Sequence, residues 1–101
     1  MHDMKNLNKL DVLNSSAKDG MDAFWAFDKA AFADGAIDGK TKQLLALATA
    51  LTTQCAYCIE LHTDAARKAG ASDEELAETA VVTAAIRAGG AVTHATHMFK
   101  K

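Results

Sequence analysis

Apolar residues recur at steps of three and four along most of this chain, the period of a helix with one buried face. The clearest run is Leu44, Leu47, Ala48 and Leu51, at i, i+3, i+4 and i+7. It predicts a helix opened by Asp38 as N-cap and continuing through about Thr53. Gln43 stands on the border of that stripe, beside Leu47. A second stripe, Cys58, Ile59, His62, Ala65, Ala66 and Ala69, predicts the following helix, with Gly70 as its stop. Thr52-Thr53-Gln54 interrupts the pattern between them and has weak helix propensity. Cys55 and Cys58 are therefore expected in the first turn or so of the second helix, on its packed side.

The flanking pattern is also helical. Residues 1–15 form an N-terminal arm or a short helix, with Leu7, Leu10, Val12 and Leu13 as apolar positions. Ser15 or Ser16 is expected to cap a helix running to about Phe32. That helix carries Met21, Phe24, Trp25, Phe27, Ala31 and Phe32, an aromatic stripe that reads as core and as a wall for any pocket. Residues 33–39 are loop, with two glycines and no periodicity. Ser72-Asp73-Glu74-Glu75 has the form of a capping box. The helix it opens is apolar nearly all round over residues 80–88, which predicts burial at the centre or at a subunit contact. Gly89-Gly90 is expected to break it, leaving a last short helix with Val92, His94, His97, Met98 and Phe99. Strand-forming runs are absent. The expectation is one all-α domain over residues 1–101.

Composition changes this picture in one respect. Of 101 residues, 22 are alanine and six aromatic, so a single copy buries little area per residue and has a thin core. Small side chains also let helices approach closely, which points to an obligate homo-oligomer. The net charge of −2 comes without a basic patch, which argues against a nucleic-acid partner. No stretch approaches the roughly 20 apolar residues of a membrane span, and no signal-peptide apolar region is evident. The expected address is cytoplasmic. In that compartment a Cys-x-x-Cys is redox-active or metal-binding more often than a structural staple.

Both cysteines lie in Cys55-Ala56-Tyr57-Cys58-Ile59-Glu60-Leu61-His62. On a helix, steps of three, four and seven return to one face, so Cys55, Cys58 and His62 share a stripe. The thiolate is the reactive form, and a helix N-terminus or a nearby cation brings a thiol pKa to about 3.5–7.5. Cys58 has both candidates, the first-turn amides and His62 at i+4. This reading makes Cys58 the attacking thiol and Cys55 the resolving one. A peroxide would convert Cys58 to a sulfenic acid, Cys55 would close the disulfide, and a dithiol or protein reductant would reopen it. If the helices flanking Thr52-Thr53 fold back as a hairpin, Gln43 comes level with His62 and can hold its imidazole. Glutamine is neutral, so it drives the histidine less than a carboxylate would.

The pattern Cys55-x-x-Cys58-x-x-x-His62, following Lys40-Thr41-Lys42-Gln43-Leu44-Leu45-Ala46-Leu47-Ala48, resembles the carboxymuconolactone decarboxylase/alkylhydroperoxidase D (AhpD-like) superfamily. The match covers about residues 38–90, including the Ala69-Gly70-Ala71-Ser72 turn. The resemblance implies an all-helical AhpD-like bundle, assembly as a trimer or hexamer, and thiol peroxidase activity on a small hydroperoxide without a cofactor. It maps Cys58 to the sulfenic-acid cysteine, Cys55 to its partner and His62 to the relay histidine. The family's glutamate falls on Gln43, and Tyr57 stands where some relatives have a second histidine. Other readings are a decarboxylase-like enzyme that makes no use of the dithiol, and a structural module with the cysteines as core. A zinc site would need His94 or His97 as a fourth ligand beside Cys55, Cys58 and His62.

Overall fold

Two helices folded back on one another carry the centre of the molecule. The structure, a computed structural model, describes residues 2–100. A 3-10 turn over Met4–Lys9 leads into α1 (Leu10–Ser16), followed by α2 (Lys18–Phe32), α3 (Gly39–Thr53), α4 (Ala56–Lys68) and α5 (Asp73–His94). A second 3-10 turn, Ala95–Met98, closes the described chain. There is no strand among the described residues. The fold is all-α, as the periodicity predicts.

The α3–α4 hairpin owes its turn to one residue. Gln54 adopts the left-handed conformation at φ 57°, ψ 38°, and its N–H bonds back to the Ala50 carbonyl. The Cys55 N–H reaches the same carbonyl at 3.1 Å. Non-glycine residues occupy this region at a cost, here offset by satisfying a carbonyl that the helix end would leave orphaned. Asp38 caps α3 as expected, accepting from the Thr41 N–H at 2.8 Å. At the far end of α4, Gly70 turns the chain at φ +98°, a conformation suited to a residue without Cβ.

α5 is then fixed across α3 at both ends. Ser72 and Glu75 form the reciprocal capping box, and Glu75 also pairs with Lys40 at 2.9 Å. Further along, Arg87 Nη1 donates to the Thr52 carbonyl at 2.8 Å. Leu47, Ala66 and Ala71 form the buried core, with Leu44 and Leu76 packed against it.

Four details differ from the sequence reading. Neither Ser15 nor Ser16 caps α2: Ala17 takes that place without a side-chain bond, and Ser15 Oγ donates back to the Asp11 carbonyl in α1 at 3.0 Å. Gly89-Gly90 does not break α5, which runs through to His94, so the final element is a single 3-10 turn. The aromatic stripe of α2 is not core in one copy of the chain, with Phe24, Trp25 and Phe27 all exposed. The apolar length of α5 is not central either, since Val81, Val82 and Ile86 face outward.

The outline is accordingly long, 56 × 33 × 29 Å with a radius of gyration of 17.2 Å, against about 13 Å for a close-packed chain of this length. The accessible surface is 7674 Å², against about 5,500 Å² for a folded monomer of this mass. A concavity of about 400 Å³ lies between α3 and α5, walled by Leu44, Leu45, Ala48 and Val82 with Glu75 and Glu78 at its side. It includes neither cysteine nor His62.

Candidate active site

Cys55 is the N-cap of α4, in extended conformation, and its sulfur accepts the Cys58 N–H at 3.3 Å. Both cysteines are free and half-buried. Their sulfurs share a hydrogen bond at 2.6 Å, so bringing them to the roughly 2.05 Å of an S–S bond requires only a small movement. The N-cap position supplies this closeness, because a cap side chain turns back over the amides of the first turn.

That position also decides which thiol is the more acidic, and in the opposite sense to the sequence reading. The bond from the Cys58 side chain, then the backbone N–H groups of Cys58 and Tyr57, hold the Cys55 thiol below its ordinary value. Cys58 is pushed up by its bond to Cys55, by burial and by the charge on Cys55. Of the two, Cys55 is the thiol that gives up its proton more readily. The reason is geometric: the cap sulfur faces the free amides, whereas Cys58 lies one turn inside the helix.

His62 lies one turn beyond Cys58 on α4, and its Nδ1 is 2.7 Å from Gln43 Oε1 on α3. An amide oxygen only accepts, so Nδ1 carries the proton and Nε2 keeps its lone pair in the neutral ring. The hairpin register anticipated this contact. Phe32, the last residue of α2, adds one that the sequence did not single out, stacking on the imidazole with ring centroids 5.1 Å apart and planes 16° from parallel. In the sequence it is one member of the aromatic stripe expected to wall a pocket, the last before a loop.

A second addition comes from the N-terminus. Asn6 Nδ2 donates to the Tyr57 hydroxyl at 2.9 Å, His2 packs edge-on against the Tyr57 ring, and His2 Nε2 lies 3.9 Å from Glu60 Oε2. The N-terminal segment is therefore laid over the residues between and beyond the two cysteines, and no periodicity in residues 2–9 announces this. His94 and His97 pack on each other with centroids 5.7 Å apart, and His94 Nδ1 donates to the Gly90 carbonyl at 2.8 Å. Among the described residues no group of three or more His, Cys, Asp and Glu side chains is placed to hold a metal ion, so the zinc arrangement with His94 or His97 is not assembled. No helix of the described residues is long and apolar enough to cross a membrane.

The arrangement is a pair of free thiols in contact at the start of α4, with His62 one turn beyond Cys58 and bonded to Gln43. Comparison with known proteins gives the chain its family. A chain from Paracoccus denitrificans, described as an uncharacterized protein in the cox locus, is 53% identical over 74 residues, covering 73% of this chain and 67% of its own length. An uncharacterized protein of Cupriavidus necator is 34% identical over 79 residues, covering 78% of this chain and 68% of that one. Among solved structures, a carboxymuconolactone decarboxylase family protein from Legionella pneumophila superposes with a TM-score of 0.77 at 34% identity, over 81% of this chain and 73% of its own. A protein from Methanobacterium thermoautotrophicum gives a TM-score of 0.81 at 31% identity, over 87% and 99%. The carboxymuconolactone decarboxylase family model matches residues 18–101, which takes in all five helices but α1 and every residue of the site. The chain belongs to the carboxymuconolactone decarboxylase family.

Proposed function

We propose that this protein is a thiol-dependent peroxidase and disulfide oxidoreductase, reducing small hydroperoxides through Cys55 and Cys58. The observation that carries the reading is the pair of free sulfurs 2.6 Å apart at the start of α4, backed by the His62–Gln43 bond. In the proposed cycle Nε2 of His62 takes the proton from Cys58. The Cys58 thiolate then attacks the terminal peroxide oxygen, so that an S–O bond forms and the O–O bond breaks. The alkoxide leaves and takes the proton back from His62 as an alcohol. Cys55 then gives up its proton to solvent and its thiolate attacks the Cys58 sulfenic acid; the S–S bond forms, the S–O bond breaks, and hydroxide leaves to become water with a solvent proton. A dithiol or protein reductant supplies two electrons and two protons to restore both thiols.

This division keeps Cys58 as the peroxide-attacking sulfur and makes its dependence on His62 explicit, because Cys58 is the less acidic thiol of the pair. Turnover of hydrogen peroxide and an organic hydroperoxide with a dithiol reductant tests the activity, comparing the native protein with Cys58→Ser. Equal rates reject it, and would turn attention to decarboxylase chemistry that makes no use of the dithiol. Sulfenic-acid trapping assigns the attack: the adduct is expected on Cys58 in Cys55→Ser, and preferential labelling of Cys55 in Cys58→Ser would reverse the roles.

The same reading has the protein acting as a closed assembly of its own copies, three or six by the family resemblance, in the cytoplasm. The assembly is supported by the surface of 7674 Å², some 2,000 Å² beyond the expectation for a monomer. The address rests on the Cys-x-x-Cys spacing, which in that compartment is redox-active more often than a structural staple.

A further inference from the structure

An imidazole that passes a proton has two freedoms to lose, its tautomer and the plane of its ring. Gln43 Oε1 settles the first by accepting from Nδ1. A single hydrogen bond leaves the second open, because the ring swings about it at little cost. Phe32 supplies what is missing. Its ring lies over the imidazole at 5.1 Å and 16°, covering one face and setting the plane in which Nε2 lies.

Phe32 is itself held from behind. It is the last residue of α2, and the chain that follows is tied to α3 by side chains at its start. Lys42 Nζ donates to the Ala33 carbonyl. Asp34 Oδ1 accepts the Gly39 N–H at 2.6 Å, and the Gly35 N–H bonds to the Ile37 carbonyl at 3.1 Å. A Cβ at position 39 would come within 3.1 Å of Asp34 Oδ1, so glycine there lets the carboxylate close on the backbone. The loop thus ties Phe32, at the end of α2, to the start of α3, the helix that carries Gln43. The other large aromatics of α2, Phe24, Trp25 and Phe27, remain exposed, so Phe32 differs from its stripe in being engaged with the site.

From these contacts we infer that Phe32 is a positioning residue for His62, acting with Gln43 to fix the ring in the Nδ1–H form with Nε2 in a set direction. It touches neither sulfur in the proposed reaction and acts through the imidazole. The inference rests on the redox reading only for its effect on turnover; its effect on the ring is independent of it.

The test is nitrogen-15 correlation spectroscopy of the histidine ring in the full chain, with peroxide consumption measured beside it. The native protein is expected to give His62 as one Nδ1–H tautomer at a pH where the ring is neutral. Phe32→Ala is expected to give averaged, mixed-tautomer nitrogen shifts and a fall in the rate of thiol oxidation of about 2- to 10-fold, the scale of one aromatic pair. Phe32→Trp should restore both, and Phe32→Leu, which fills the space without a flat ring, should restore neither fully. Helical circular dichroism unchanged across the series excludes unfolding as the cause; if Phe32→Ala does not fold, the contrast of Leu with Trp carries the test. An unaltered His62 spectrum and rate in Phe32→Leu would overturn the inference. A shifted spectrum in a protein with no peroxide turnover would leave Phe32 as the positioning residue and remove the peroxidase reading alone.

Discussion

Ile86→Asp is the sharpest probe of the proposed assembly. Ile86 is 73% exposed in one copy of the chain, on the same face of α5 as Val82 and beside the Ala48, Thr49 and Thr52 side of α3. If the chain were a monomer, a polar residue there would change stability by no more than about 0.5 kcal/mol, like other surface substitutions. If this face is covered by another copy, the variant loses the burial of an isoleucine, about 1.5–3 kcal/mol. It must also strip water from a carboxylate, which costs several kcal/mol when no partner compensates. Each subunit brings one such loss, so the expected weakening is about 3 kcal/mol or more per subunit, at least a hundredfold in the dissociation constant. Sedimentation velocity at micromolar concentration should show the native protein as a trimer or hexamer and the variant as smaller species. The melting temperature of the native protein should rise with concentration, as mass action requires. A native protein that sediments as a monomer of 10.7 kDa refutes the reasoning. So does a variant with unchanged assembly and melting point.

Three further outcomes follow from the site and its turn. Gln43→Glu places a charged acceptor where Gln43 Oε1 now lies 2.7 Å from His62 Nδ1; charge-assisted bonds are about twice as strong as neutral ones, and thiol oxidation by peroxide at pH 7 should be roughly tenfold faster. A rate no faster than the parent's would mean that Gln43 does not limit the relay. Gln54→Gly removes the penalty of a left-handed residue at φ 57° and should raise stability by about 0.5–1 kcal/mol in urea titration; a loss would show that the glutamine side chain compensates for its backbone. Stability should also depend on pH through the thiols. The lowered Cys55 value means that the unfolded chain binds more protons between that midpoint and the ordinary 9.0, so stability rises with pH across that window. The raised Cys58 value makes stability fall again from 9.0 upward. Urea midpoints of the reduced protein at successive pH values check this, and Cys55→Ser should lose the rising limb.

Much of the site was legible because it is local. The Cys55, Cys58 and His62 stripe follows from helical spacing alone, and Gln43 was reached by counting outward from Thr52-Thr53. The register prediction worked because α3 and α4 are joined by a turn of two residues, Gln54 and Cys55, which leaves little freedom to slip. The order of the thiol pKa values was misread for an equally local reason. Placing both cysteines in the first turn gives Cys58 the benefit of the amides, but Cys55 is the cap, and the cap sulfur faces those amides. Gly89-Gly90 misled in a different way. Glycine weakens a helix by up to about 1 kcal/mol, but a stop also needs groups that satisfy the freed backbone. Here α5 continues instead: His94 Nδ1 donates back to the Gly90 carbonyl from the next turn, and Arg87 is held by Thr52. Phe32 was hidden because its engagement depends on the path of the loop after it, which periodicity does not encode.

The thin core and the active site meet at one hairpin. α3 and α4 lie close enough for a glutamine side chain on one to reach an imidazole on the other, and the buried alanines are Ala50 on α3, Ala66 on α4 and Ala71 in the turn after it. Of the four buried apolar residues these are three, and only Leu47 is large. Alanine contributes little burial per residue, so the hairpin that aligns His62 with Gln43 is weakly held by its own interior. α5 packs Leu76 on the core but bears Val81, Val82, Ile86 and Val92 outward, so a partner covering that face would add packing to the hairpin through α3. If another copy provides it, assembly and chemistry are coupled through α3. Ile86→Asp should then slow thiol oxidation as well as dissociate the protein, although Ile86 is not among the residues of the site. A dissociated variant with full redox rate would separate the two and leave the hairpin self-sufficient.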